Sequence, residues 1–484
     1  MLIRLEYRLL LFARGEMNRP NILFINTDQQ GAYALSVNDP GFETPNLDAL
    51  YRQSYCFERA YAANPVCIPS RFSMYSGVYP SKIGMESNGD HRKNVSEEIL
   101  YNAMGNIFCR NGYDCVYGGK IHLPGPSPVY EKVEPYGFTS ITTDYRMGLS
   151  ERAAEFLKEK HEKPFLLSLA FVNPHDICYY AYNRHQLLKG GRIIGHNGTI
   201  EWDTCCDFLR DLEGLSEEEL DQVLPPLPDN FAIPQEELTS FRIDKPDFMC
   251  YSRNHFTEKD WRIVRYLYRR FVNKVDNEIG VVLQALKNSE YARNTLIVFT
   301  SDHGEMYGAH HADEKAFLYE ECTRVPLMFC LPEEISHKTD NEHLVCSGID
   351  ILPTLCDFCN IPIPDTYEGR SLKGLIKGEK TDWREYVIVE NSMARMVHFG
   401  DYKYMASTNE KFSEQEKCKN CSLKCYEGQV VREQLSDLIN DAGEKVNHIH
   451  EEGLQEYVVK GRNILSARAK ERRVEGEERF LYQR

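Results

Sequence analysis

Cys67 is the residue of this chain with the clearest capacity for chemistry. In the stretch "NPVCIPSRFSMYSG" it stands two residues before Pro69, a good first residue for a helix, and Arg71 follows closely. Helix N-termini favour anions, because their N–H groups lack partners and the helix dipole is positive there. We therefore interpret Cys67 as a nucleophile that faces a phosphate-like or sulfate-like group, with the cation Arg71 beside it.

Further polar residues follow short apolar runs. "NILFIN" precedes Asp28, "DCVYGG" precedes Lys120, "FLLSLAFVN" precedes His175 and "TLIVFT" precedes Asp302. Such runs are typical of buried parallel strands, whose carboxyl ends form the ligand-binding edge of an open α/β sheet. We therefore expect four segments to bring their polar side chains to one edge.

Two of these segments have the composition of a metal site. "NTDQQ" supplies Asp28 and Gln29, and "TSDHGE" supplies Asp302 and His303. Carboxylate and amide oxygens favour Ca²⁺ or Mg²⁺, whereas an imidazole shifts preference toward Mn²⁺ and other transition ions. Asp302 could also serve as a helix N-cap, because Asp is a preferred residue at that position. The same pattern recurs at Asp28, which favours a metal site, and we expect the ion to be Ca²⁺.

The remaining polar candidates are two lysines and two histidines. Lys120 and His122 are two residues apart and share one side of an extended segment, His175 ends a strand, and Lys315 lies in "HADEKAFLYEE". The lysines would neutralise the oxygens of a tetrahedral anion, and His175 would protonate a leaving alcohol. Physical reasoning supports Lys315 least, because a solvated face of a charged helix would look the same.

Taken in order, these motifs resemble the formylglycine-dependent sulfatases of the alkaline-phosphatase superfamily. The resemblance covers nearly the whole chain, through "PNILFINTDQQ", "TPNLDAL", "CIPSRFSMYSG", "GGKIHL", "FTSDHGEMYGAHHADEKAFLYEECTRVPLMF", "DILPTLCDF", "EGRSL" and "SDLINDAGEKVN". It implies a large mixed, mostly parallel sheet sandwiched by helices, with a smaller C-terminal α+β subdomain.

The resemblance also implies roles for individual residues. A maturation enzyme would oxidise Cys67 to formylglycine, whose hydrated aldehyde attacks sulfur, and His122 would then deprotonate the second hydroxyl so that sulfate leaves. Asp28, Gln29, Asp302 and His303 would bind the metal together with a formylglycine oxygen. Asn88 and His310 align with positions on the substrate rim, and a sulfated carbohydrate is the expected substrate.

Two positions depart from the commonest pattern of that family. Many members have Asp where Gln29 stands and Asn where His303 stands. The Gln and His variant also occurs in relatives that cleave choline sulfate or phosphonate and phosphate esters, so those activities stay open as alternatives. A binding protein on a decayed sulfatase fold is a third class, but no expected polar position is lost. A phosphatase with a Ser or Thr nucleophile is disfavoured by the cysteine.

Composition limits the partners and the compartment. The chain has 57 Lys and Arg against 73 Asp and Glu, a formal charge of −16, which argues against binding to nucleic acid or an anionic membrane. The first 16 residues show no export signal, so we expect a cytoplasmic protein that keeps its 16 cysteines reduced, with Met17 as a candidate start and export as the open alternative. The oligomeric state stays open.

The chain divides into a large and a small part. We expect an extension that packs poorly over 1–16, a catalytic domain over 17–380 with an excursion across the site rim at 183–255, and a subdomain over 381–484 with an antiparallel sheet and closing helix. A helical stripe beginning near Glu258 is predicted to face the core.

Several cysteines invite other interpretations. Cys418, Cys421 and Cys425 have zinc-like spacing without an obvious fourth ligand, and we favour a surface loop of free thiols. Cys356 and Cys359 are predicted to lie in the core.

Overall fold

A computed structural model describes residues 19–126, 132–142, 146–188, 200–242, 245–407 and 430–472. Its strands in chain order are β1 Asn21–Asp28, β2 Tyr55–Phe57, β3 Ala60–Tyr61, β4 Asp114–Gly119, β5 Thr139–Ser140, β6 Phe165–Pro174, β7 Thr295–Ser301, β8 Leu327–Cys330, β9 Lys338–Asp340, β10 Val345–Cys346, β11 Tyr386–Glu390, β12 Ala394–Phe399, β13 Tyr402–Ser407 and β14 Glu433–Asp437.

The helices carry the connections between these strands. They are α1 Pro45–Tyr51, α2 Cys67–Ser76, α3 Glu97–Tyr101, α4 Met104–Arg110, α5 Leu149–Phe156, α6 Cys178–Leu188, α7 Ile200–Arg210, α8 Glu217–Val223, α9 Asp247–His255, α10 Glu258–Lys287, α11 Glu320–Thr323, α12 Ser347–Phe358, α13 Lys373–Ile376 and α14 Gln455–Arg472.

The main sheet has the strand order β5-β4-β6-β1-β7-β8-β2-β9. Strand β1 pairs in parallel with β6 on one side and β7 on the other, and β4 pairs in parallel with β6. Strand β8 runs antiparallel to β7. The prediction of a large, mixed and mostly parallel sheet is confirmed, and the four polar strand ends belong to four neighbouring strands.

Both faces of this sheet are covered, as the continuous apolar runs require. Leu23 and Ile25 of β1 pack on the side of the long helix α10, whereas Ile22 and Phe24 pack on the opposite side with residues of α2, α4 and α12. Each fully buried Leu, Ile or Phe stabilises the fold by about 1.5–3 kcal/mol relative to an exposed one. These two layers hold the strand ends in a rigid frame.

The predicted helical stripe is confirmed in α10. Its buried residues include every predicted position: Trp261, Val264, Leu267, Phe271, Val275, Ile279, Val282 and Leu286. The Thr257 hydroxyl caps its first turn by accepting from the Asp260 N–H, and the Asp260 carboxylate accepts from the Thr257 N–H in return.

The excursion over 183–255 is largely helical in its described part. It contains α7, α8 and α9 and the C-terminal part of α6. Apolar residues such as Trp202, Phe208 and Leu220 pack against the N-terminal half of α10. Its helices are short, which explains why the sequence shows no sustained periodicity there.

The C-terminal part forms a four-stranded sheet of order β11-β12-β13-β14, and every neighbouring pair is antiparallel. Helix α14 packs on it through Val458 and Leu465. The fully buried Lys403 of β13 joins the two parts of the chain, because its Nζ lies 3.2 Å from Glu320 of α11 and 2.9 Å from Glu444.

Some predictions concern residues outside the described ranges. The extension over 1–16 and the cysteines 418, 421 and 425 are among them. Cys356 and Cys359 are fully buried in and directly after α12, as predicted. Across the described ranges, no helix combines the length and the apolar character needed to span a membrane.

Candidate active site

The functional side chains meet at the carboxyl edge of the parallel strands. Asp28 ends β1, Lys120 follows β4, His175 follows β6 and Asp302 follows β7. Gly119 makes the turn after β4 possible: its φ is +103°, and a Cβ there would collide with the carbonyl of Ala170. Because β4, β6, β1 and β7 are neighbours in the sheet, the polar residues at their carboxyl ends lie around one point.

At that point lie Asp28, Cys67, Asp302 and His303. One ligand atom from each lies within 4.8 Å of the others, and all four residues are fully buried. The Cys67 Sγ is 3.3 Å from the His303 Nε2 and 3.6 Å from an Asp28 oxygen. Two carboxylates, an imidazole and a thiol form a set able to bind a divalent cation.

Local contacts prepare these groups for an ion. The Nδ1 of His303 lies 2.9 Å from its neighbour's carbonyl, at Gly304, so Nδ1 carries a proton and Nε2 faces the cluster. Burial and the charge of Asp28 raise the pKa of Asp302. Two ionised carboxylates at this distance repel each other, and a cation bound between them would relieve that repulsion.

Helix α2 begins at Cys67 itself, two residues earlier than Pro69 suggested. The cysteine therefore occupies the first helical turn, and the Asn88 Oδ1 accepts a hydrogen bond from the next backbone N–H, at Ile68, at 3.0 Å. Burial and Asp28 act to raise the pKa of the Cys67 thiol, but Lys315, Lys120 and His303 lower it overall. The charges of Lys315, Lys120 and His303 thus favour an anionic form of the side chain at this position.

Arg71 is fully buried and holds the two carboxylates. Its Nε lies 2.9 Å from Asp302, its Nη2 lies 3.2 Å from Asp28, and its Nη1 donates to the carbonyl of Lys120 at 3.0 Å. The rigid guanidinium thus fixes three segments at once. Its position makes it a support for the two carboxylates.

Gln29 has contacts that differ from its predicted role. Its Oε1 accepts a hydrogen bond from the Lys315 Nζ at 2.6 Å, and its Nε2 donates to Glu305 at 2.5 Å. Its backbone has a φ of +73°, which turns the side chain toward Glu305 and Glu314. The oxygen that would bind the ion therefore contacts Lys315, and a ligand role for Gln29 stays a prediction.

Glu305 and Glu314 are site residues that the sequence reasoning missed. Both are buried, and burial together with the neighbouring acids Glu314 and Asp313 raises the pKa of Glu305 well above its ordinary value. The sequence offered one signal for them: Glu305 lies two residues after His303 in "SDHGE", and Glu314 directly precedes Lys315 in "DEK". They fix the amide of Gln29 and, through it, Lys315.

The lysines and histidines surround the cluster. The Lys120 Nζ lies 2.7 Å from Asp28, and Lys315 is mostly buried between two residues of positive φ rather than on a helix face. Burial and the charge of Lys120 lower the pKa of both His122 and His175 well below the usual value. All four polar candidates are brought together.

The two residues predicted on the substrate rim have different positions. Asn88 is half-buried beside the first turn of α2. His310 is fully buried: its ring stacks on Tyr319 at 3.9 Å, and its Nε2 lies 3.4 Å from the Asn230 amide. Its backbone has a φ of +53°. A place for His310 at the substrate rim stays a prediction.

Comparisons with known proteins agree with this geometry. The sulfatase family profile matches residues 20–361, and the profile of the C-terminal part of N-sulphoglucosamine sulphohydrolase matches residues 308–471. A Δ4,5-hexuronate-2-O-sulfatase of Bacteroides thetaiotaomicron is 28% identical over 421 residues, 81% of each chain. An arylsulfatase of Clostridium perfringens is 27% identical over 506 residues, 92% of this chain and 94% of its own.

A similar fold is found in a solved structure of an enzyme that is not named a sulfatase. The phosphonate monoester hydrolase of Agrobacterium radiobacter superposes with a TM-score of 0.69 at 19% identity, over 93% of this chain and 96% of its own. At that identity the likeness shows the alkaline-phosphatase-like fold alone. The profile match over most of the chain, with the buried cluster at the strand ends, shows that this chain is an enzyme of the sulfatase family.

Proposed function

We propose that this sulfatase hydrolyses a sulfate monoester of a carbohydrate, with formylglycine made from Cys67 as the nucleophile. The observation that carries the proposal is the convergence of Cys67 with Asp28, Asp302 and His303 in one buried centre. The name of the hexuronate-2-O-sulfatase relative supports a sugar as the leaving group. The cationic surroundings of Cys67 suit an anionic ester.

The four converging residues fit a divalent cation, which we propose is Ca²⁺, with Mg²⁺ or Mn²⁺ as the alternatives. When bound, the ion would withdraw charge from the sulfate and the nucleophile as a Lewis acid. Asp28, Asp302 and His303 would hold it, and Arg71 keeps both carboxylates in place. A maturation enzyme is the partner needed to convert the thiol of Cys67 to an aldehyde.

We assign Lys120 and Lys315 to the binding of the sulfate oxygens. The first lies against Asp28 and the second against Gln29, so each enters the centre from a different strand end or loop. Opposed cations of this kind stabilise charge that develops on a tetrahedral anion, most strongly in a site closed to water. Together with burial, their charges also lower the pKa of His122 and His175.

His175 is proposed to protonate the leaving alcohol, and His122 to act as the base of the second half-reaction. In the free enzyme, burial and the lysines lower the pKa of His175, so the imidazole is mostly neutral. A bound sulfate would offset the lysine charges and raise that pKa again, which couples protonation of His175 to substrate binding. The acid thus becomes available when the ester is present.

Rates on matched esters test the proposal. We expect kcat/KM on a panel of sulfated mono- and disaccharides to exceed the values on choline sulfate, nitrophenyl phosphate and a phenylphosphonate ester. Cys67→Ala should abolish all of them while the protein stays folded, and Cys56→Ala, which removes another buried thiol in β2, should not. Faster turnover of choline sulfate or of the phosphorus esters would contradict the proposal and favour the matching alternative.

A further inference from the structure

The Nδ1 edge of His175 faces a cysteine to which neither the motifs nor the family comparison gives a role. The Cys178 Sγ lies 3.8 Å from His175 Nδ1, within reach of a hydrogen bond to sulfur. A short 3₁₀ turn, His175–Ile177, joins the end of β6 to α6, and Cys178 is the first residue of that helix. The spacing of three residues puts both side chains on one side of the turn.

Other charged and titratable groups face His175 but contact it less closely. An Asp176 oxygen lies 3.9 Å from Nδ1, beyond an N–H···O hydrogen bond, and both carboxylate oxygens accept from Arg146 at 2.6 Å. Lys120, Lys315, Asp28 and His122 act on the imidazole through their charges. Among the described residues, the Cys178 sulfur is the group that lies within hydrogen-bonding distance of Nδ1.

A thiol suits both protonation states of this imidazole. Burial raises the pKa of Cys178 well above its ordinary value, so the side chain stays a neutral thiol at neutral pH. An S–H group donates to the lone pair of a neutral Nδ1, and the sulfur accepts from Nδ1–H once the ring is protonated. In both states Nδ1 stays turned to Cys178, and Nε2 is left for the anion site.

We propose that Cys178 is a positioning residue that directs Nε2 of His175 to the ester oxygen. The proposal rests on the proposed function of the site. As the nucleophile oxygen bonds to the sulfate sulfur, the bond between that sulfur and the leaving ester oxygen breaks. The ester oxygen keeps the electron pair and takes the Nε2 proton of the protonated His175 imidazole. The imidazole is left neutral with its proton on Nδ1, facing Cys178. Exchange with water then adds a proton at Nε2 and removes the one on Nδ1, which restores the Nε2–H tautomer of the free enzyme.

Two substitutions separate positioning from packing. Cys178→Ser keeps a donor and acceptor, whereas Cys178→Ala removes both; Cys206→Ala, in the middle of α7, controls for the loss of a partly buried thiol. Relative to the wild type, we expect Cys178→Ala to lose about five- to tenfold in kcat/KM on a sulfated sugar, the effect of one neutral hydrogen bond, and less than about twofold on nitrophenyl sulfate. Cys178→Ser should stay within about threefold on both.

Nitrogen-15 NMR of histidine-labelled enzyme gives a readout that does not depend on turnover. The His175 signals, assigned by their absence in His175→Gln, should show the Nε2–H tautomer in the wild type and in Cys178→Ser, and a mixture in Cys178→Ala. Equal losses on both esters with an unchanged tautomer would overturn the proposal and leave a packing role. Failure of the proposed function would show separately, as a wild type without sulfate-ester activity, and the tautomer would still decide on the contact.

Discussion

Replacement of Arg71 tests the electrostatics of the centre. The guanidinium is fully buried, with contacts of 2.9 Å to Asp302, 3.2 Å to Asp28 and 3.0 Å to the Lys120 carbonyl. In Arg71→Ala, Asp28 keeps Lys120 at 2.7 Å, but Asp302 loses its guanidinium. Breaking a buried pair in this way costs about 3–5 kcal/mol, a large part of the roughly 5–15 kcal/mol by which domains are stable.

The measurement is the free energy of unfolding in urea, first with a chelator and then with Ca²⁺. We expect Arg71→Ala to lose about 3–5 kcal/mol in chelator and less with Ca²⁺, because the ion then compensates the carboxylates. Arg71→Lys should lose about 1.5–3 kcal/mol, since lysine keeps the charge but lacks the planar guanidinium that contacts three groups at once.

An exposed ion pair provides the control for this series. Arg152 and Glu155 pair at 3.0 Å on α5 with side chains 62% and 60% exposed, so Arg152→Ala should cost less than about 1 kcal/mol. If Arg71→Ala costs no more than this control in chelator, the carboxylates do not depend on Arg71 and the reasoning fails.

Three further predictions address single residues. His175→Ala should slow cleavage of sulfated sugars by about 10²–10⁴-fold but slow nitrophenyl sulfate much less, because a nitrophenolate needs little protonation; equal losses would refute its role as the acid. Gln29→Ala should raise KM by freeing Lys315 and, as expected for a predicted metal ligand, should also weaken calcium binding measured by titration calorimetry; an unchanged calcium affinity would contradict the ligand role. Burial lowers the pKa of His398 to about 3, so the unfolded state binds more protons below pH 6.5 and stability falls as the pH drops from there toward 3. In urea titrations over this range, His398→Phe should flatten the slope by up to about 1.4 kcal/mol per pH unit, and an unchanged slope would show that His398 does not titrate there.

Strand ends were the most predictable part of the site. Apolar runs long enough for a buried strand and followed at once by Asp28, Lys120, His175 or Asp302 leave few alternatives, because parallel strands end at a common edge. The order of the strands was not readable from the sequence, since it depends on crossovers that pair β1 with both β6 and β7.

Contacts made through unusual backbone were not predictable. Gln29 turns to Glu305 and Lys315 because its φ is +73°, and Glu314 has a φ of +66°, values that no hydrophobic pattern reports. His310 is buried by a turn of the same kind, with a φ of +53°. Periodicity predicts which face of a regular element is buried, but it does not apply to single left-handed residues.

The most direct test of the central claim is the mass of the peptide that contains Cys67, measured in enzyme with proven sulfate-ester activity. Enzyme produced together with a maturation enzyme should yield this peptide with the side chain converted from thiol to aldehyde, and specific activity should rise in proportion to the converted fraction. Cys109, which is exposed and far from the cluster in sequence, should stay a thiol in the same preparation. Fully active enzyme in which Cys67 is found only as a thiol would contradict the account.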